Sequence, residues 1–277
     1  MCNHEPESPV QYAVKWAELE QRLGVDCDAP PSPWRLTEEG SIELLAERAT
    51  RKGEQVLVPY GEETSSELLC TSGFVPSPNS AEYLTLFDGV VDLVNRCEGS
   101  FGLSKRQAEV RLETLLSMDA HEAPLAVRPG DLPASGHVIG CMRLLAATDD
   151  EFAGFTEDYV DALGHHALVP PASMPPERAI AIEGAAAAEC GRAAQEKLAE
   201  LPTTAAEDEE QLARVVSAEG EPLKRLSDLL TDPEAEAATG PGAWRLASAL
   251  SYRLEAKRLL AAFARRCQEC AERAEAA

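Results

Sequence analysis

Gly53-Glu54-Gln55-Val56-Leu57-Val58-Pro59-Tyr60-Gly61, followed closely by Glu67-Leu68-Leu69 and Ser72-Gly73-Phe74-Val75, organises the reading of the whole chain. Lys52-Gly53-Glu54 is a turn, Val56 to Val58 is an apolar run, and Gly61 stops it, so the segment predicts a strand with a tyrosine at its end. Ser65 to Thr71 predicts one or two helical turns ending at Gly73. Taken alone, Tyr60 is most simply a structural residue closing a sheet.

Working outward, the chain changes character near residue 85. Upstream, Gln11 to Trp16 alternates and predicts a strand, Ala29-Pro30-Pro31-Ser32-Pro33 predicts a loop, and Ser41 to Thr50 fits a helix or a strand. Downstream, the pattern is helical. Ser104 is placed to cap a helix through Leu116, Ser135 to Ala147 reads as a buried helix, and Pro170 to Pro176 is a bend. Glu177 to Leu201 is alanine-rich and helical, and Thr204 with Glu207 three residues on forms a capping-box pattern. Leu223 to Leu230 predicts a short helix. Gly240-Pro241-Gly242 is expected to break the chain before a long amphipathic helix from Trp244 to Arg273. The fold class expected is α+β: a β-rich part over residues 1–88 and a mainly α-helical part over 89–277.

The 277 residues carry 25 Lys+Arg against 48 Asp+Glu, a net charge of -23. Such a surface repels phosphate backbones and argues against a general nucleic-acid binder or a polybasic membrane anchor. It suits a basic protein or peptide partner. The 44% hydrophobic content is too high for a disordered chain, and 8 cysteines are too dilute for a disulfide scaffold. No apolar run approaches the roughly 18 residues of a membrane helix. A soluble protein of a reducing compartment is expected, with chloroplast, cytosol and nucleus all open.

Further motifs bear on chemistry. Met1-Cys2-Asn3-His4 holds an Asn-His step, weak by itself. Pro202-Thr203-Thr204-Ala205-Ala206-Glu207-Asp208-Glu209 is an acidic, well-capped helix start. Val138-Ile139-Gly140-Cys141-Met142-Arg143-Leu144-Leu145-Ala146 lies in the buried helix, and Ala249-Leu250-Ser251-Tyr252-Arg253-Leu254-Glu255-Ala256-Lys257-Arg258-Leu259-Leu260 in the amphipathic one. Cys267-x-x-Cys270 could begin a metal or redox site, but no second pair is positioned to complete it. Free thiols on a terminal helix are the simpler reading, and no metal is expected. The remaining cysteines fit small buried hydrophobes or loop residues equally well.

Together these strings resemble the SET-domain protein methyltransferases, in particular the Rubisco large-subunit methyltransferase-like subfamily. The Gly-Glu turn, the strand into Tyr60-Gly61, the Leu68-Leu69 pair and the Gly73-Phe74 step resemble the C-terminal half of the SET domain. Asn3-His4 resembles the upstream step that touches S-adenosylmethionine. The segments around Val138, Pro202 and Ala249 resemble, in order, the subfamily's helical substrate-binding lobe. The resemblance implies an S-adenosylmethionine-dependent protein N-methyltransferase acting on lysine, in some members histidine. It implies Tyr60 as the catalytic tyrosine at the inner end of a narrow channel, Asn3 and His4 at the cofactor, and Phe74 walling the channel or packing near the cofactor. The helical lobe would hold a basic, lysine- or histidine-containing segment of a protein substrate.

The chain also departs from the family. Ser65-Ser66 stands where the family has Ser-Asn, and the Asn-His to Tyr-Gly gap is lengthened, with Leu23 to Arg35 looking inserted. The family's N-terminal half, whose Gly-x-Gly stretch cradles the cofactor, has no counterpart in this sequence. A truncated chain that alone does not bind S-adenosylmethionine appreciably is therefore expected. The alternative reading is a non-catalytic protein-interaction module derived from the helical lobe.

Overall fold

A computed structural model describes residues 63–76, 78–121, 123–130, 132–152, 154–159, 166–217 and 233–277, with short strand segments before them. Those strands are β1 (Asn3–His4), β2 (Val10–Gln11), β3 (Trp34–Leu36), β4 (Ile42–Ala46) and β5 (Leu57–Val58). There follow α1 (Ser65–Thr71), β6 (Leu84–Thr85), α2 (Val90–Ser100), α3 (Lys105–Ser117), β7 (Ala126–Val127), α4 (Gly136–Ala146) and the single turn α5 (Asp149–Phe152). The hairpin strands β8 (Thr156–Tyr159) and β9 (His166–Val169) precede α6 (Pro176–Glu200), α7 (Ala205–Ser217) and α8 (Pro233–Ala276). The described residues are mostly helical.

The chain divides into two units, one of residues 1–81 and 212–252, the other of 82–211 and 253–277. In the first unit, β1 pairs parallel with β5, Asn3 opposite Leu57 and His4 opposite Val58. Separately, β4 pairs antiparallel with β2 and with β3. Ser41 to Thr50, which fitted helix or strand, thus contains the strand Ile42–Ala46. Helix α1 starts on a complete capping box: Thr64 N–H donates to Glu67 Oε2 at 2.7 Å and Glu67 N–H to Thr64 Oγ1 at 3.3 Å. It ends at Gly73, whose φ of 79° is the left-handed conformation that suits glycine.

The described residues of the second unit share a hydrophobic core. Phe87, just before α2, and Leu93 and Cys97 of α2 meet Leu115 of α3, Ile139, Met142 and Leu145 of α4, Ala187 and Cys190 of α6, and Phe263 and Cys267 of α8. Apolar residues at helical spacing put these side chains on inward faces. Ser104 caps α3 as expected, in a box with Gln107. A 3-10 turn, Leu132–Ser135, leads into α4, and the Ser135 hydroxyl accepts Arg128 N–H at 3.0 Å. Arg111, 1% exposed, lies inside: it donates to the Ala147 carbonyl at 2.6 Å and to Asp149 at 3.1 Å, and its guanidinium sits over the Phe152 ring.

Some expectations need correction. Gly240-Pro241-Gly242 does not break the chain, because α8 runs continuously from Pro233 to Ala276. Proline already holds the φ of a helix, and in the interior it removes one backbone bond and crowds one carbonyl. Those penalties are local, and the long run of helix-forming residues after it carries the helix on. The hairpin β8–β9 falls where no strand was expected. Residues 12–16, 29–33 and 223–230, with the strand, loop and short helix expected there, lie outside the described residues.

Candidate functional site

The residues expected to carry chemistry divide into one group in each unit. In the first, Tyr60 lies outside the described residues. Asn3 and His4 form β1, paired in parallel with Leu57 and Val58 of β5. Residues more than fifty positions apart in sequence are thus side by side, and Val58 stands two residues before Tyr60. A parallel pair needs a crossover between its strands, and β2, β3 and β4 occupy the intervening chain. Phe74 follows α1, half-buried, beside the fully buried Val75.

Asn79 closes this segment, and the sequence reading did not single it out. Its Nδ2 donates to the Glu63 carbonyl at 3.0 Å and to Ser65 Oγ at 3.3 Å, and its Oδ1 accepts Ala81 N–H at 3.1 Å. An amide has two donor hydrogens and one carbonyl acceptor, so a single side chain ties residues 63–65 to residues 79–81. Ser65 is 1% exposed and therefore needs such a partner.

The second group joins two of the three segments singled out in the helical part. Asp208, fully buried in the first turn of α7, accepts from Arg253 Nε at 2.9 Å, from Arg253 Nη2, from Lys257 Nζ and from Thr203 Oγ1 at 2.7 Å. Lys257, 3% exposed, completes its three donors on Thr203 Oγ1 at 2.7 Å and the Thr204 carbonyl at 3.3 Å. Burial alone would raise the Asp208 carboxyl. The donors from Arg253, Lys257 and Thr203 outweigh it and hold the group well below the usual carboxylate range. Beside this knot, Thr204 and Glu207 make the expected capping box, with Thr204 N–H donating to Glu207 Oε2 at 2.7 Å and Glu207 N–H to Thr204 Oγ1 at 3.2 Å. The third segment, in α4, is fixed elsewhere: Arg143 pairs with Glu183 of α6.

A cleft of about 410 Å³ opens at this corner. Leu198, Leu201, Pro202 and Ala261 give it apolar walls, and Thr203, Glu207 and Lys257 give it polar ones.

The cysteines offer no activated thiol in the second unit. Cys97, Cys141, Cys190 and Cys267 are buried, and burial pushes the thiols of Cys97, Cys141 and Cys267 up to about 12 and that of Cys190 well above its ordinary value. Protonated thiols are poor nucleophiles and poor metal ligands. Cys97 Sγ instead rests 3.3 Å from Met142 Sδ. Among the described residues, no group of three or more His, Cys, Asp or Glu side chains is arranged to hold a metal ion. Nor is any described helix long and apolar enough to cross a membrane.

Compared with known proteins, the chain matches no family model and no curated protein.

Proposed function

We propose that this chain is part of an S-adenosylmethionine-dependent protein N-methyltransferase of the SET type, its residues 1–88 belonging to the SET domain and 89–277 to a helical substrate-binding lobe. One observation carries the reading. Asn3-His4 and the strand that leads to Tyr60, two strings that resemble that family's SET domain, are paired in register as neighbouring parallel strands. Sequence resemblance alone did not require that adjacency.

In this reading Asn3, His4 and Phe74 hold the cofactor, which supplies a methyl group on a sulfonium. The nitrogen of a substrate lysine, or histidine, must arrive neutral and in line behind that methyl. That nitrogen would take the methyl as the sulfonium sulfur leaves as a neutral thioether, and its proton would pass to water. Tyr60 orients the attacking nitrogen with its hydroxyl. Positioning reacting atoms at about 3–3.5 Å supplies much of such a rate. The protein substrate presents a basic segment to a lobe that belongs to a chain of net charge -23.

The test is Tyr60→Phe in the protein purified from its own cells, assayed for transfer of a labelled methyl to protein. Loss of the hydroxyl should lower turnover about a hundredfold or more with cofactor affinity nearly unchanged. Unchanged turnover removes Tyr60 from the mechanism.

A second reading, a protein-interaction module without catalysis, is favoured by the cleft beside Asp208, which is built from residues of the helical unit alone. Absence of methyl transfer from the wild-type protein would bring it forward.

A further inference from the structure

We infer that Asn79 is a positioning residue for Phe74 and, through Phe74, for S-adenosylmethionine: its amide pins the segment that carries Phe74 back onto the start of α1. The inference rests on the methyltransferase reading for the identity of the ligand, and on the bonds of Asn79 for the rest.

Phe74 lies between two anchors. Before it, Gly73 N–H donates to the Leu68 carbonyl at 2.8 Å and to the Leu69 carbonyl at 3.1 Å, so the chain leaves α1 in one fixed direction. Leu68 and Val75 on either side of this turn are buried, whereas Phe74 is only half-buried and keeps part of its surface open. After it, Asn79 Nδ2 donates to the Glu63 carbonyl at 3.0 Å and to Ser65 Oγ at 3.3 Å. The arm between Phe74 and this second anchor is Val75-Pro76-Ser77-Pro78-Asn79. Proline fixes its own φ at about −65° and restricts the residue before it. An arm with two prolines bends little, so a pin at its far end is felt at Phe74.

The bonds of Asn79 separate a local role from a distant one. Its Oδ1 accepts Ala81 N–H at 3.1 Å, two residues on. That is an Asx turn, which a carboxylate makes as well as an amide does. The two Nδ2 bonds reach back 16 and 14 residues, which no turn requires. Nor does α1 depend on them, since it has its own capping box at Thr64 and its own closing bonds at Gly73. What the two donors set is the course of the chain after Phe74.

The experiment uses the protein purified from its own cells, as wild type, Asn79→Asp and Asn79→Ala. Calorimetry gives the affinity for S-adenosylmethionine, and transfer of a labelled methyl to protein gives KM and kcat. Asn79→Asp keeps the acceptor for Ala81 N–H and removes both amide donors, so it tests the link apart from the turn. We expect both variants to bind the cofactor about tenfold more weakly, the scale of one or two lost hydrogen bonds. KM for the cofactor should rise alike, and kcat at saturating cofactor should fall less. Hydrogen exchange at Gly73 to Val75, measured without cofactor, should quicken in both variants, while unchanged exchange in α6 shows that the helices remain folded. Asn79→Asp that binds like wild type overturns the inference, because Asn79 then only forms a turn. A fall in kcat with KM unchanged overturns it too, because Phe74 is then not what moved. The two readings fail separately. A wild-type protein that binds no cofactor fells the methyltransferase reading and this role with it, whereas unchanged exchange at Gly73 to Val75 in the variants fells the Asn79 link alone.

Discussion

Helix α8 makes two contrasting seams within the helical unit. Toward α6 it lies dry and close. A Cβ added at Gly191 would stand 2.9 Å from Cys267 Cβ, and one at Gly184 would stand 2.4 Å from Ala274 Cβ. Toward the start of α7 the same helix makes a buried ionic contact, with Arg253 and Lys257 on Asp208. The dry seam depends on the absence of atoms and is indifferent to protonation. The ionic seam depends on one carboxylate and on the complete pairing of what surrounds it. The difference teaches which changes each seam tolerates: small additions break the first, and single deletions break the second.

The largest effect should follow from Asp208→Ala. It leaves Lys257, 3% exposed, without its counter-charge, and breaking one partner of a buried pair costs about 3–5 kcal/mol. Urea unfolding should show it as a lowered midpoint. The sign with pH follows from the lowered folded-state pKa. The Asp208 contribution is fully present above the ordinary carboxyl value of 3.8 and is lost as pH falls below it. The double replacement Asp208→Leu with Lys257→Met should recover part of the loss, because the buried ammonium is then gone and Arg253, 32% exposed, can turn to water. A double variant no better than Asp208→Ala would mean that the corner needs the ionic geometry itself.

The dry seam should break more mildly. Gly191→Ala sets one Cβ against another, and neither can rotate away, so only a shift of the helices relieves the contact. Overpacking of about 1–3 kcal/mol then outweighs the gain of ~1 kcal/mol in helix propensity. A net loss of about 1 kcal/mol is expected in urea unfolding. Gly184→Ala is the comparison. Its shorter contact falls on Ala274, near the end of α8 at Ala276, where the helix can yield. It should be near neutral or slightly stabilising. The reverse order of the two glycines would mean that the end of α8 is held as firmly as its middle.

What could be read from sequence follows the range of the interaction. The Ser104 cap and the Thr204 box with Glu207 were legible because a cap is settled within four residues, though the part of Gln107 in the first was not read. The α3, α4 and α6 helices were legible because their apolar spacing matches one face. Asp208 was read as part of an acidic helix start, whereas it is a buried counter-ion for residues 45 and 49 positions away. A signal was present: Arg253 and Lys257 are four apart on an otherwise apolar helix face, and two cations so placed need an anion. The β8–β9 hairpin was missed because Thr156-Glu157-Asp158-Tyr159 shows no apolar alternation, and the pairing that makes it a strand comes from His166–Val169. At the first unit, the Asn3-His4 and Leu57-Val58 strings were both singled out, but their pairing was not derivable from either. Asn79 escaped notice because an amide among turn residues looks like any other turn residue.

The smallest effect expected lies at a partly exposed ion pair, a counterpart to Asp208 on the surface. Glu151 accepts from Arg178 Nε at 2.6 Å and from Thr148 N–H at 2.8 Å, with Arg178 39% exposed. The Arg178 guanidinium holds the Glu151 carboxyl down at about 2, from an ordinary 4.5. Its contribution is therefore present above about pH 4.5 and lost as pH falls toward 2. Because the pair is solvated, it is worth only ~0.2–1 kcal/mol. Glu151→Gln should lower stability at neutral pH by no more than that, and the difference from wild type should shrink as the solution is acidified. High salt should shrink it too, since exposed charges are screened, while the Asp208→Ala deficit should persist in the same salt. If both deficits fall together with salt, the carboxylate at the start of α7 is reached by solvent, and the two seams of α8 differ in packing but not in dielectric.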